Sequence, residues 1–93
     1  MAELLHEYWE NVDGSREFGV VSARSDLLRP TLTPHARRVF SLSASSWGQA
    51  MQVYHERLGY GDYRPIREGR PDRFYTEREA AEQEAYLRLR NIR

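Results

Sequence analysis

Between Arg37 and Gly59 the hydrophobic period changes once, and this switch limits the available folds more than any other feature of the chain. Phe40, Leu42 and Ala44 alternate with Val39, Ser41 and Ser43, the period of two expected of a strand with one buried face. Trp47, Ala50, Met51, Tyr54 and Leu58 then recur at helical spacing. Ser46 and Gln49 form a capping box, in which each side chain takes up a free amide of the first turn, and Gly59 supplies the left-handed residue that stops a helix. The spacing predicts a strand over 37–44, central in its sheet, and a helix over 46–58 lying on it.

Upstream, Phe18, Val20 and Ser22 alternate with Gly19, Val21 and Ala23, and Asp13-Gly14 is a hairpin signal before them. Residues 4–12 then become the partner of a strand over 18–23. Leu4, Leu5, Tyr8, Trp9 and Val12 also fit a helical stripe capped by Asp13-Gly14, so both readings stay open. The hairpin is preferred because strand 18–23 needs a neighbour and Tyr and Trp suit strands. Residues 25–36 contain Pro30 and Pro34 and read as a loop, in which Asp26-Leu27-Leu28 could make a short helical turn. Residues 59–75, rich in Gly, Pro, Arg and Tyr, read as an irregular loop. Thr76 and Glu79 form a second capping box, and acids followed by arginines suit the dipole of a helix over 77–91. Its apolar residues, Ala81, Ala85, Tyr86, Leu89 and Ile92, make a thin stripe, so it buries little unless another chain completes it.

The fold class expected is α+β: a three-stranded antiparallel sheet with one helix packed on it (ββ hairpin, strand, helix) and a C-terminal helix. Residues 1–75 would form a single domain and residues 76–93 a helix that docks or projects. A chain of 93 residues removes roughly 60–65% of its unfolded surface from water without covalent help, and leaves no room for a second domain. No apolar run nears the ~20 residues needed to cross a bilayer, and the acidic start Met1-Ala2-Glu3-Leu4-Leu5-His6-Glu7 is unlike a signal peptide. A soluble, cytoplasmic protein without a membrane partner is expected. One helix leaves the sheet's other face and its edges uncovered, so apolar surface should remain for a partner or a second copy.

The residue inventory excludes much chemistry. With no cysteine there is no disulfide, thiolate nucleophile or cysteine metal site, and with all 14 basic residues arginine there is no Schiff-base or phosphate-loop lysine. His6, His35 and His55 have no metal-ligand spacing and read as solvated or capped histidines, so neither metal nor cofactor is expected. The serines of 41–46 lack the glycines of a nucleophile elbow, and Gly59-Tyr60-Gly61 lacks the strand and helix of a phosphate cradle. Trp9 and Trp47 fall where core or core-edge residues belong. No catalytic residue can be assigned, and a non-enzyme is expected.

Net charge is zero, but its signs come in blocks: acids crowd residues 1–17, arginines crowd 24–38, and glutamates 77, 79, 82 and 84 precede arginines 88, 90 and 93. Blocks of this kind favour complementary surfaces over one uniform field. Tyr and Arg are enriched at protein interface hot spots. Tyr60, Tyr63, Arg64 and Arg67 of the loop, with Tyr86 and Leu89 of the last helix, are therefore the expected partner-binding residues. The alternative is nucleic-acid or other anion binding through Arg24, Arg29, Arg37 and Arg38 with the loop arginines. Zero net charge and the interspersed Asp62, Glu68 and Asp72 argue against it.

Tyr8-Trp9-Glu10, Phe18-Gly19-Val20 and Ser46-Trp47-x-x-Ala50-Met51-x-x-Tyr54-x-x-x-x-Gly59-Tyr60 resemble a group of small, stand-alone, uncharacterised bacterial proteins over residues 6–63. The resemblance implies no activity and no catalytic residue. A non-enzymatic protein-protein interaction module, whether homodimer, adaptor or inhibitor, is the function expected.

Overall fold

A computed structural model describes residues 2–64 and 72–92. Strand β1 (Leu4–Glu10) lies between β2 (Arg16–Val20) and β3 (Arg37–Ala44), and both pairings are antiparallel. Helix α1 (Ala23–Leu32) joins β2 to β3, α2 (Trp47–Leu58) follows β3, and α3 (Glu77–Ile92) closes the chain. The expected α+β sheet is therefore present, and residues 4–10 are strand and not helix. The central strand is β1 and not β3. Large side chains alternate on both sides of β1, and Leu4, His6, Glu7 and Tyr8 are all buried, as a strand covered on two faces requires.

The β1–β2 hairpin turns through 11–15, with Asn11 N–H on the Ser15 carbonyl at 2.9 Å and Gly14 at φ 89°, where a side chain would be strained. Strand β2 starts earlier than its hydrophobic alternation suggests and stops at Val20, because Ser22 leaves the sheet to cap α1. Pairing with β3 carries a bulge: Tyr8 faces Phe40 but Trp9 faces Arg38, so Val39 is the extra residue. This shift puts Arg38 on the same side as Glu7 and Trp9.

One face of the sheet carries Leu4, His6, Tyr8, Phe18, Phe40, Leu42 and Ala44, and α2 lies on it. Ala50 is fully buried, and the Tyr54 ring reaches Phe18 at 4.3 Å and Tyr8 at 5.2 Å. Ser46 caps α2 by accepting the Gln49 amide at 3.1 Å, while Gln49 Oε1 takes the Ser45 N–H at 2.7 Å, one residue earlier than in an ordinary capping box. Residues 72–76 cross the start of α2 as a strap. Phe74 bridges Ser46, Tyr75 N–H reaches the Ser45 carbonyl at 2.8 Å, and the Asp72 carboxylate accepts from Ser46 Oγ and Gly48 N–H. The rest of the loop, 65–71, lies outside the described residues.

The opposite face is covered by α1 and α3, contrary to the expectation of a single helical cover. Residues 23–32 form a real helix although Pro30 falls within it. Ser22 and Ser25 exchange side-chain and backbone bonds at 3.1 and 3.2 Å, a capping box with serine where Glu or Gln is usual, and the Thr33 N–H closes the other end on the Arg29 carbonyl at 2.8 Å. Helix α3 docks through Ala80, Gln83, Tyr86, Leu87 and Arg90, while Ala81, Ala85 and Leu89 of the apolar stripe face solvent. Among the described residues, no helix is long and apolar enough to cross a membrane.

Gly59 ends α2 at φ 76°, whereas Gly19 has an ordinary strand backbone and open space where a Cβ would stand. Gly59→Ala should therefore destabilise the fold by about 1 kcal/mol. Gly19→Ala should leave it within about 0.5 kcal/mol. Urea unfolding of the two variants measures the contrast.

Candidate functional site

Three side-chain constellations stand out, and two of them hold the fold together. The first is built on Glu7, in the middle of the central strand, whose side chain is only 2% exposed. Arg90 of α3 grips it with two bonds, Nη2 to Oε1 at 2.7 Å and Nη1 to Oε2 at 3.0 Å. Arg38 adds a bond at 3.0 Å from β3, and the Trp9 indole N–H adds one at 3.2 Å. Asp26 of α1 takes Arg90 Nε at 3.0 Å, Arg29 Nη1 at 3.0 Å and the Tyr86 hydroxyl. Arg29 goes on to Glu17 at 3.3 Å and lies over the Trp9 ring at 3.9 Å. Burial would push the Glu7 carboxyl up, but the bonds from Arg90 and Arg38 outweigh it and hold the group below the ordinary glutamate value. The acidic and basic blocks of the sequence therefore find each other within one chain.

Gln83 completes this layer. Its Oε1 accepts the Leu5 N–H at 2.7 Å and its Nε2 donates to the Val21 carbonyl at 3.0 Å, the two groups that would otherwise close the last rung between β1 and β2. No sequence signal pointed to Gln83 or Glu7, because polar residues facing inward break the hydrophobic periodicity on which sequence reading rests.

The second constellation surrounds His6, which is wholly buried and not solvated. Its Nδ1–H donates to the Leu4 carbonyl at 3.0 Å, which makes Nε2 the acceptor of the Tyr75 hydroxyl at 2.8 Å. Phe18, Trp47 and Tyr75 enclose the ring at 5.6–6.1 Å. Burial drives the imidazole below its ordinary value, partly offset by bonds to the backbone of Leu4 and Leu42. Burial also pushes the Tyr75 phenol up to about 12. With both nitrogens engaged and no exposed atom, the ring pins the 72–76 strap and has no path to a substrate. Trp47 is a core-edge residue here, and Trp9 lies under Arg29.

The third is the outer side of α1. Asp26 and Arg29 point into the protein, and Leu27, Leu28 and Leu32 are 76%, 41% and 71% exposed. Below Leu28 and Leu32 runs a cleft of about 400 Å³, floored by Glu17 of β2 and rimmed by Arg24. Its wall on the side of the sheet is Glu17 of β2.

The expected partner-binding residues do not share one surface. Tyr60 is half exposed and sets its ring edge-on to His55, as Tyr63 does at 5.3 Å, on the α2 side. Arg64 is exposed beside them, and Arg67 lies outside the described residues. Tyr86 and Leu89 belong to α3 across the sheet, where the Tyr86 hydroxyl is turned inward to Asp26 and Leu89 faces solvent. The expected anion-binding arginines also divide. Arg29 and Arg38 are held by carboxylates, while Arg24 rims the cleft beside β2 and Arg37 lines another with His35 and Arg16 at the hairpin end. Among the described residues no cluster of three or more His, Asp or Glu could hold a metal ion. No family model, curated protein or solved structure matches the chain.

Two outcomes follow. Glu7→Gln strands Arg90 beside Asp26 without its main partner, and should cost about 3 kcal/mol in urea unfolding at neutral pH. Because the folded state depresses the His6 value, the unfolded chain takes the proton first as pH falls below the ordinary 6.5. Stability should therefore be full above that value and decline from pH 7 to pH 5.5. The His6→Phe, Tyr75→Phe double variant, which has neither the titrating group nor an orphaned hydroxyl, should lose most of that decline.

Proposed function

We propose that this chain is a non-enzymatic protein-interaction module that docks through the outer side of α1 and the adjoining edge of β2. The observation that carries this reading is the inverted polarity of α1. A surface helix ordinarily turns its apolar side to the core and its charges to water. Here Asp26 and Arg29 face inward to the ion layer, and Leu27, Leu28 and Leu32 face out. Burying one such leucine is worth roughly 1.5–3 kcal/mol, and the isolated chain forgoes most of that at Leu27 and Leu32 and a smaller share at Leu28. The cleft beneath Leu28 and Leu32 offers a partner a concave apolar surface next to an open strand edge. Tyr60, Tyr63 and Arg64 lie on the α2 side, away from this helix.

Nucleic-acid binding has less support. Arg29 and Arg38 are already neutralised by Glu17, Asp26 and Glu7, and Arg24 and Arg37 line different clefts. A spread of isolated arginines on a chain of zero net charge makes a poor phosphate track.

The Leu28→Asp, Leu32→Asp double variant tests the docking face. Neither side chain supports the core, so the circular dichroism spectrum should be retained and the melting temperature should move by no more than a few degrees. Self-association, and capture of any protein bound by the tagged wild-type chain in extracts of its source cell, should both be lost. A folded variant that associates and captures as the wild type does would refute this assignment.

A further inference from the structure

Strand β2 lies at the edge of the sheet and is paired on one side by β1. Two rungs fix which of its backbone groups are free: Val21 N–H bonds the Leu5 carbonyl at 3.0 Å, and Asn11 N–H bonds the Ser15 carbonyl at 2.9 Å. In an antiparallel ladder bonded rungs alternate with unbonded ones. With His6 opposite Val20, Tyr8 opposite Phe18 and Glu10 opposite Arg16, those residues of β2 occupy the unbonded rungs. The N–H and C=O groups of Arg16, Phe18 and Val20 therefore point out of the sheet along its edge. The other edge is defended. Strand β3 carries the bulge at Val39 and adjacent arginines 37 and 38, and the strap at Phe74 and Tyr75 crosses its far end. Among the described residues, β2 carries no bulge and is bridged by no further segment.

We infer that two copies of the chain join β2 to β2 in antiparallel register about Phe18, forming one continuous six-stranded sheet. This inference rests on the docking face proposed above and names its occupant. The free groups sit symmetrically about Phe18. Pairing Phe18 with its own copy, and Arg16 with the copy's Val20, therefore engages all of them with none left over. The same register places Glu17 opposite Gly19 of the second copy, where no atom stands within 4 Å of the site a Cβ would take. Like charges are thereby kept from facing each other directly. A two-fold interface must be self-complementary, and this one carries both halves of each contact. Leu28 and Leu32 project beside the cleft that the other copy's leucines would fill, and acidic Glu17 and basic Arg24 line the same cleft.

The spacing also fits. Arg29 bonds Glu17 on β2 and covers Trp9 on β1, so α1 runs above the gap between these strands. With strands about 4.8 Å apart, the two copies of α1 would lie about 10 Å from each other, the normal separation of packed helices.

The test is the sign of a charge placed at position 19. Sedimentation velocity of the full chain over about 1–100 μM should show a dimer. Gly19→Glu sets a carboxylate opposite the other copy's Glu17, and also opposite the same chain's Glu7 across the ladder, so the dimer is compared only at temperatures where thermal melts show both variants folded. There Gly19→Glu should weaken it about tenfold or more, whereas Gly19→Arg should keep it or tighten it. Hydrogen exchange on the unaltered chain gives a readout independent of folding in the variants. The Phe18 and Val20 amides should be protected in the dimer and exchange freely on dilution. A chain that stays monomeric, a dimer indifferent to the sign at position 19 or responding the opposite way, or unprotected amides at Phe18 and Val20 would overturn the pairing. A monomeric chain whose captured partner is still lost in the Leu28→Asp, Leu32→Asp variant would overturn self-pairing and leave the docking face standing.

Discussion

A carboxylate buried at the centre of the sheet organises one whole side of this protein. An unpaired glutamate at the position of Glu7 would be expensive to desolvate, so the strand can be central only if cations reach it from outside the strand. Arg38 comes from β3, helped into place by the bulge at Val39, and Arg90 comes from the far end of the chain. Helix α3, too poor in inward apolar residues to dock by burial, docks by geometry: a two-pronged arginine at one end and the Gln83 carboxamide on the ladder nearer its start. Such contacts are directional where apolar packing is not, so they fix the angle and register of the helix as well as its presence.

The ion layer also dictates the polarity of α1. Asp26 must face Arg90 and Tyr86, and Arg29 must face Glu17 and Trp9, which commits the inner side of a ten-residue helix to polar groups. Its leucines are left on the outside, on the side of the β2 edge. The apolar surface that one uncovered sheet face was expected to leave is thus moved onto a helix. In this way an internal electrostatic requirement produces an external apolar surface, the one on which the proposed docking face and two-fold seam are built.

The other side of the sheet follows ordinary rules. Aromatic rings from every strand meet Tyr54 and Trp47 of α2, and the buried His6 among them is satisfied by the Leu4 carbonyl and the Tyr75 hydroxyl. That second bond, with the grip of Asp72 on Ser46 and Gly48, ties the strap to the start of α2. The two faces thus differ in kind: one is close-packed and apolar around a single hydrogen-bonded histidine, the other a chain of paired charges.

Where side chains facing the core were apolar, the sequence by itself determined the outcome. The strand at 37–44, the helix capped by Ser46 and Gly59, the hairpin at Asp13-Gly14 and the helix after Thr76 were all legible, because local spacing and capping chemistry act within a few residues. Tertiary structure alone decided that β1 is central, that residues 23–32 are helical despite Pro30, and that α3 docks through its polar side. The same holds for the placement of Tyr60 and Tyr86 on opposite sides of the sheet and of Leu28 and Leu32 beside an open edge. The docking of α3 and the orientation of α1 depend on groups far apart in the chain, Glu7 and Asp26 with Arg90, and an ion pair leaves no period in the sequence from which its partner can be read.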